Sequence, residues 1–284
     1  MHKIPECLEM AFSSDVVSIE KNGAIGTLWL DRPGKFNALT PELWAAIPVA
    51  LNELAADADI RAIIFAGRGK HFCAGIDLMA GGLDAEHAKQ APSEAVANLN
   101  QLGFTTAFQE AISSLAKCQL PVIAVVHGYC LGAGIDLITA CDIRISAADG
   151  QFGVRETRIG LVADVGTLQR LPKIISAGHM AELAYTGKDI NAARAEKIGL
   201  VNDVYDDFDS TYAAAMEMAH TIAANPPLAV RGTKFILQQS EDLTTEQSLL
   251  LNGMFTLMTS LKSNDMHETM QAFGEKRPPV YTGS

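Results

Sequence analysis

At 284 residues, 48% of them hydrophobic, the chain can bury the core of one large domain or of a domain with an appendage, which excludes intrinsic disorder. Its 33 acidic and 22 basic residues leave a net charge of −11, which excludes nonspecific nucleic-acid binding and obliges any anionic ligand to find local basic residues. Five scattered cysteines (Cys7, Cys73, Cys118, Cys130, Cys141) without a CxxC pair, no bilayer-length apolar run, and no signal, transit or peroxisomal pattern set the expectation of a soluble, reduced, cytoplasmic protein without a membrane partner.

In chain order, Val16 to Pro33 reads as a hairpin turning at Asn22-Gly23. Thr40 is placed to cap a helix with Pro41 at its first position, and Leu43, Ile47, Leu51 and Leu54 recur at helical spacing. Ile60 to Ala66 is an apolar strand, and Gly67 to Gly75 is a basic, glycine-containing loop. Leu83 to Ala95 lacks periodicity and predicts a mobile loop or short helix, followed by an amphipathic helix over Ala97 to Ala116. The run PVIAVV predicts a buried strand; a turn of small residues and an apolar helix over Ile135 to Cys141 follow. ARAEKIGLVNDVY reads as helix, Gly199 stop and strand, and from Ser210 the chain is wholly helical. Strand–helix alternation predicts an α/β class but does not separate a doubly wound sheet from a spiral of ββα turns. The change to all-helical sequence divides the chain into 1–205 and 206–284.

The chemistry concentrates between His127 and Pro172. A strand that runs through small residues into a helix leaves free backbone N–H groups where a negative charge is stabilised. Asp136 lies one turn into that apolar helix, Glu156 ends QFGVRE, and Asp164 lies in LVADVGT. Each has a plainer role open to it. Asp136 suits a helix start, Glu156 a surface ion pair with a neighbouring arginine, and Asp164 the N-cap of a helix beginning near Val165. No HxxxH or HExxH pattern, GxSxG elbow or P-loop occurs, so no metal is expected.

This window resembles the crotonase, or enoyl-CoA hydratase/isomerase, superfamily. The run GIDLITACDIR…GLVADVGTLQRLPK is similar to the dienoyl-CoA isomerases within it, and the resemblance extends from about residue 15 to Val280. It implies a spiral of ββα units with a C-terminal helical region that builds a homotrimer or hexamer. It implies an acyl-CoA substrate in fatty acid β-oxidation, with coenzyme A entering as part of the substrate and no separate cofactor. The implied oxyanion donors are the N–H groups of Ile76 and Ala133; many members carry glycine at the second position, and alanine keeps the N–H unless the turn needs a positive φ.

The resemblance also implies the catalytic acids Asp136, Glu156 and Asp164. Moving two conjugated double bonds takes a proton from C2 and returns one at C6, too far apart for one short carboxylate to serve comfortably. Two acids in different ionisation states solve this. Glu156 is therefore assigned to C2, Asp164 to C6, and Asp136 to holding or polarising the pair. Lys35, Ala38, Ala74, Gly75, Ile76, Asp77, Leu78 and Ala133 are the implied CoA-lining residues; Phe273 and Lys276 in AFGEKRPP reach the ligand, often a neighbouring subunit's. Arg32, Lys35, Arg68 and Lys70 add local positive charge. The runner-up activity is 2-enoyl-CoA hydration, for which the acids at the hydratase positions suffice. A non-catalytic scaffold or RNA-binding member of the fold is opposed by the intact acids and the negative charge.

Overall fold

The computed structural model describes residues 13–80 and 91–284. The chain opens with the antiparallel pair β1 (Val17–Asn22) and β2 (Ile25–Leu30). Asn22 still pairs with Ile25, so the two-residue turn is Gly23-Ala24, one position later than expected, with Gly23 at φ +57°. α1 (Pro41–Ala56) begins where the sequence places it: Thr40 Oγ1 accepts from Leu43 N at 3.3 Å, and Leu43, Ile47, Leu51 and Leu54 are buried. β3 (Ala62–Gly67) follows. The expected loop or short helix over Leu83 to Ala95 lies largely outside the described residues. Its last two residues open α2 (Glu94–Lys117), which starts before Ala97 because Ser93 Oγ accepts from Val96 N.

β4 (Val122–Val126), β5 (Tyr129–Leu131), α3 (Ala133–Thr139), β6 (Ile143–Ala147) and β7 (Gln151–Gly153) come next. They are followed by α4 (Thr167–Arg170), α5 (Ala177–Thr186), β8 (Ile190–Asn191), α6 (Ala192–Lys197) and β9 (Asp203–Tyr205). The large sheet has the order β1-β2-β3-β4-β6-β9 and is parallel apart from β1; the small one has the order β5-β7-β8. After β4, and again after β6, the chain steps from the large sheet to the small one. These repeated steps make the expected ββα spiral.

Both faces of the large sheet are covered, as a parallel sheet requires. Ile63, Phe65, Val122, Ala124 and Val126 face the cluster that contains α1, α2 and α3. Ala62, Ile64, Ile123, Val125 and Ile145 alternate to the other face, against Ala215 and Ala219 of α7 (Phe208–Ala223). The first helix of the C-terminal region is thus part of the core packing. Beyond it come α8 (Pro227–Ser240), α9 (Thr245–Met258) and α10 (Asn264–Glu275). α8 is tied to the core by Lys234, whose Nζ donates to Asp142 Oδ2 (2.7 Å) and Leu120 O (2.9 Å).

Candidate active site

Two loops meet at the mouth of the small sheet. Cys73 lies beside β5, with Cys73 N donating to Tyr129 O (2.8 Å) and Leu131 N to Cys73 O (3.0 Å). Ile76 bridges Leu39 in parallel: Leu39 N donates to Gly75 O and Asp77 N to Leu39 O. In that pattern the N–H of Ile76 itself faces away from Leu39. Gly75 (φ +96°) allows the close approach, since a β-carbon there would lie 2.9 Å from Leu131 O and 3.7 Å from Ala133 N. Ala133 is the first residue of α3, so its N–H has no intrahelical acceptor. The positive φ of this turn falls on Gly132 (+53°), so alanine at 133 is accommodated. Neither the Ile76 nor the Ala133 N–H donates to a protein acceptor among the described residues.

Asp136 is fully buried one turn into α3. Its Oδ1 accepts from Thr167 N at the start of α4, and its Oδ2 has no partner. Burial, reinforced by the charge of Glu156, pushes this carboxyl up to about 7. Glu156 opens a 3-10 turn after β7; its Oε2 is buried without a partner, and its Oε1 would lie 3.3 Å from a β-carbon on Gly132. Burial first, and then the charge of Asp164, raise Glu156 above the usual carboxylate range. The surface ion pair is not formed: Arg155 turns to Asp189, with Nε to Oδ1 at 2.8 Å.

Asp164 is exposed on the loop before α4, pinned to α2 by Gln109 Nε2 donating to its carbonyl at 2.7 Å. It caps no helix. The helix expected near Val165 starts at Thr167, and its N-cap position is Gly166, without a capping side chain. The three acids therefore form an electrostatic series, with Glu156 sensing Asp164 and Asp136 sensing Glu156.

The residues expected to line CoA fall into two groups. Lys35 is exposed and Ala38 half-buried, while Ala74, Gly75, Ile76, Asp77 and Leu78 form the facing loop. Arg32 locks the loops together, its Nη1 donating to Asp77 Oδ2 (2.7 Å) and Ala38 O (3.0 Å). The hydrogen bond from Arg32 holds the Asp77 carboxyl below its ordinary value, so Asp77 serves as a brace. Asn37, buried at φ +54°, accepts from Arg32 N and donates to Arg68 O and His71 O. Arg68 pairs with Glu20 and covers the Trp29 ring at 3.8 Å.

Phe273, 85% exposed, and Lys276, at the end of α10, lie in the helical region; no hydrogen bond, ion pair or ring contact joins them to the acids within one chain. Cavities of about 1110 Å³ open between α1 and α2 and between α2, α3 and α8, and Glu156 and Asp164 line neither. Among the described residues no His/Cys/Asp/Glu group is arranged to hold a metal, no helix is long and apolar enough to cross a membrane, and the four described cysteines are free. Sequence reasoning passed over Thr167 and Arg170, although both lie inside the run GLVADVGTLQRLPK.

The chain matches the family described as Enoyl-CoA hydratase/isomerase over residues 20–284. It is 37% identical over 277 residues to the mitochondrial Delta(3,5)-Delta(2,4)-dienoyl-CoA isomerase of Dictyostelium discoideum, covering 93% of this chain and 90% of that protein. Against the peroxisomal protein of the same name from Arabidopsis thaliana it is 34% identical, covering 94% of this chain and 96% of the relative. Among solved structures, enoyl-CoA hydratase from Bacillus anthracis superposes with a TM-score of 0.85 at 30% identity, over 95% of this chain and all of the other. The names of these relatives overturn the cytoplasmic expectation, since they are called mitochondrial or peroxisomal. Composition and core packing cannot report a compartment, because address signals are read by receptors and lie outside the packed core. A match across nearly the whole chain, on the expected ββα spiral, establishes that the protein is an enzyme of the enoyl-CoA hydratase/isomerase, or crotonase, family.

Proposed function

We propose that the protein isomerises 3,5-dienoyl-CoA to 2,4-dienoyl-CoA in fatty acid β-oxidation. The observation that carries this reading is a Glu156 free of any ion pair whose ionisation is coupled to Asp164, an acid with no capping duty. Ionised Glu156 takes a proton from C2. The electron pair delocalises over the diene and the thioester oxygen, which the N–H groups of Ile76 and Ala133 hold as a dienolate. Protonated Asp164 returns a proton at C6, leaving double bonds at C2 and C4, and solvent exchange resets the two acids. Because the charge of Asp164 raises Glu156, a proton on Asp164 eases the ionisation of Glu156, the arrangement this step uses. Asp136 polarises the pair from behind.

Lys35, Ala38 and the stretch Ala74 to Leu78 take the CoA moiety, with Phe273 and Lys276 supplied by a second copy. In this reading residues 1–205 carry the acids and the oxyanion donors, and 206–284, beyond the core helix α7, assemble a homotrimer that can pair into a hexamer. The test is a product scan of the purified protein. The 2,4-diene chromophore should grow from 3,5-dienoyl-CoA much faster than water adds to 2-enoyl-CoA. Hydration as the dominant activity would return the assignment to enoyl-CoA hydratase.

A further inference from the structure

α4 has four residues, yet it hydrogen-bonds to both α3 and α2. Its Thr167 N–H binds Asp136 Oδ1. Its last residue, Arg170, is half-buried and donates from Nη2 to Ser113 Oγ of α2 at 2.9 Å. Gly166 makes room for that side chain. A β-carbon on Gly166 would collide with Arg170 Nη1 and would stand 3.8 Å from Asp136 Oδ1, and the backbone there has φ +136°. The guanidinium therefore occupies the space beside the carboxyl whose second oxygen has no hydrogen bond. On its other side Arg170, with Ser113, lines the cleft between α2, α3 and α8, where it senses Glu241, the residue that follows α8, and adjoins Lys173.

We propose that Arg170 is a positioning residue for the acid centre: passing through the space left by Gly166 and held from α2 by Ser113, it presents a fixed positive charge to Asp136 and sets how far that carboxyl ionises beside Glu156. The catalytic part of this inference rests on the isomerase reading; the electrostatic part does not. The charged groups facing Asp136 are Glu156 from the 3-10 turn and Arg170 from α4, with the thiols of Cys73 and Cys130 nearby; those facing Arg170 are Asp136, Glu241 and Lys173. Removing the cation leaves Asp136 buried against one negative neighbour. Its ionisation is then harder, and the pH at which it titrates rises.

The experiment follows the protonated carboxyl stretch of Asp136 by infrared difference spectroscopy of the intact protein, assigned by its loss in D136N. An opposite charge at close range typically moves a carboxyl by about 1–3 pH units. In R170Q the Asp136 midpoint should rise by about one pH unit or more; R170K should recover most of it; and the limb of the kcat–pH profile should move the same way with KM little changed. A folded R170Q with an unmoved midpoint overturns the proposal. So does an activity loss that is the same at every pH, which is what a purely structural role gives. Should R170Q not fold, S113A keeps the charge and releases its tether; a smaller upward movement is expected, and none would overturn the inference. The infrared titration needs no substrate. Failure of the wild type to isomerise 3,5-dienoyl-CoA would therefore sink the proposed function and leave the Arg170–Asp136 result standing.

Discussion

In the proposed mechanism Asp164 decides between two reactions. Asp164→Asn keeps the size of the side chain and leaves the Gln109 contact, which is to the backbone carbonyl. A positioned acid or base typically contributes about 10²–10⁴-fold, so isomerisation should fall by about that factor while C2 deuterium exchange, driven by Glu156 and the two N–H donors, persists. Near wild-type isomerisation would remove the case for an isomerase; loss of both rates would mean that Asp164 governs the ionisation of Glu156. Asp136 gives a second, independent prediction. Its folded-state carboxyl is raised from the ordinary 3.8 to about 7, mainly by burial. Between those values the folded protein holds a proton that the unfolded chain has released, so this group lowers stability as pH rises from about 4 through about 7. At 1.36 kcal/mol per pH unit, the full effect is on the order of 4 kcal/mol. Asp136→Asn should therefore gain stability relative to wild type across that window, with the gap level above it. Chemical denaturation at pH 5 and pH 8 checks this, and a gap independent of pH would contradict it.

At the scale of elements, the contact of α1 with α2 covers one face of the large sheet. Trp44 of α1 stacks on Phe108 of α2 with ring centroids 4.8 Å apart, and Phe108 packs against Phe104. Yet Trp44 Nε1 is buried without a partner. An unpaired buried donor carries a penalty of about 1–3 kcal/mol, whereas truncating a buried aromatic to alanine removes about 3–5 kcal/mol. Trp44→Ala should thus destabilise by about 3–5 kcal/mol, and Trp44→Phe by less than about 1.5 kcal/mol, because losing the N–H offsets part of the lost volume. Denaturation midpoints of the two variants separate packing from polarity; equal losses would mean that the indole nitrogen is satisfied in solution.

For the whole molecule, the outstanding feature is apolar exposure on the C-terminal helices. Leu249, Leu250, Leu257 and Met258 of α9 are 60–69% exposed, with Met254 beside them at 52% and Leu237 of α8 at 67%. Isolated exposed leucines are ordinary, but this density on neighbouring helices forms an apolar patch of the kind that interfaces cover. The proposed trimer covers it. Light scattering should give a mass near three or six times 30.3 kDa, and Leu250→Glu with Leu257→Glu should shift the protein toward monomer. A stable wild-type monomer at micromolar concentration would refute this assembly.

Local rules were enough for the sequence to determine the Thr40 cap, the apolar face of α1, the β4 strand, the small-residue turn into α3 and the all-helical C-terminal region, because each depends on neighbours within a few positions. Its resemblance to a family named the ββα spiral and the three acids. Three features waited on the tertiary structure. Arg32 and Asp77, 45 positions apart, brace the two loops only because the Leu39–Ile76 bridge brings them together. α7 is a core helix because alternation along the strands leaves the second sheet face apolar, which no reading of α7 alone reveals. The ionisation of the acids was decided last. Asp136 and Glu156 are carboxylates of ordinary kind in the sequence, and burial, set by how α3, α4 and the turn after β7 close on one another, raises them. Desolvation is a property of the packed interior and is not written at any single position of the chain.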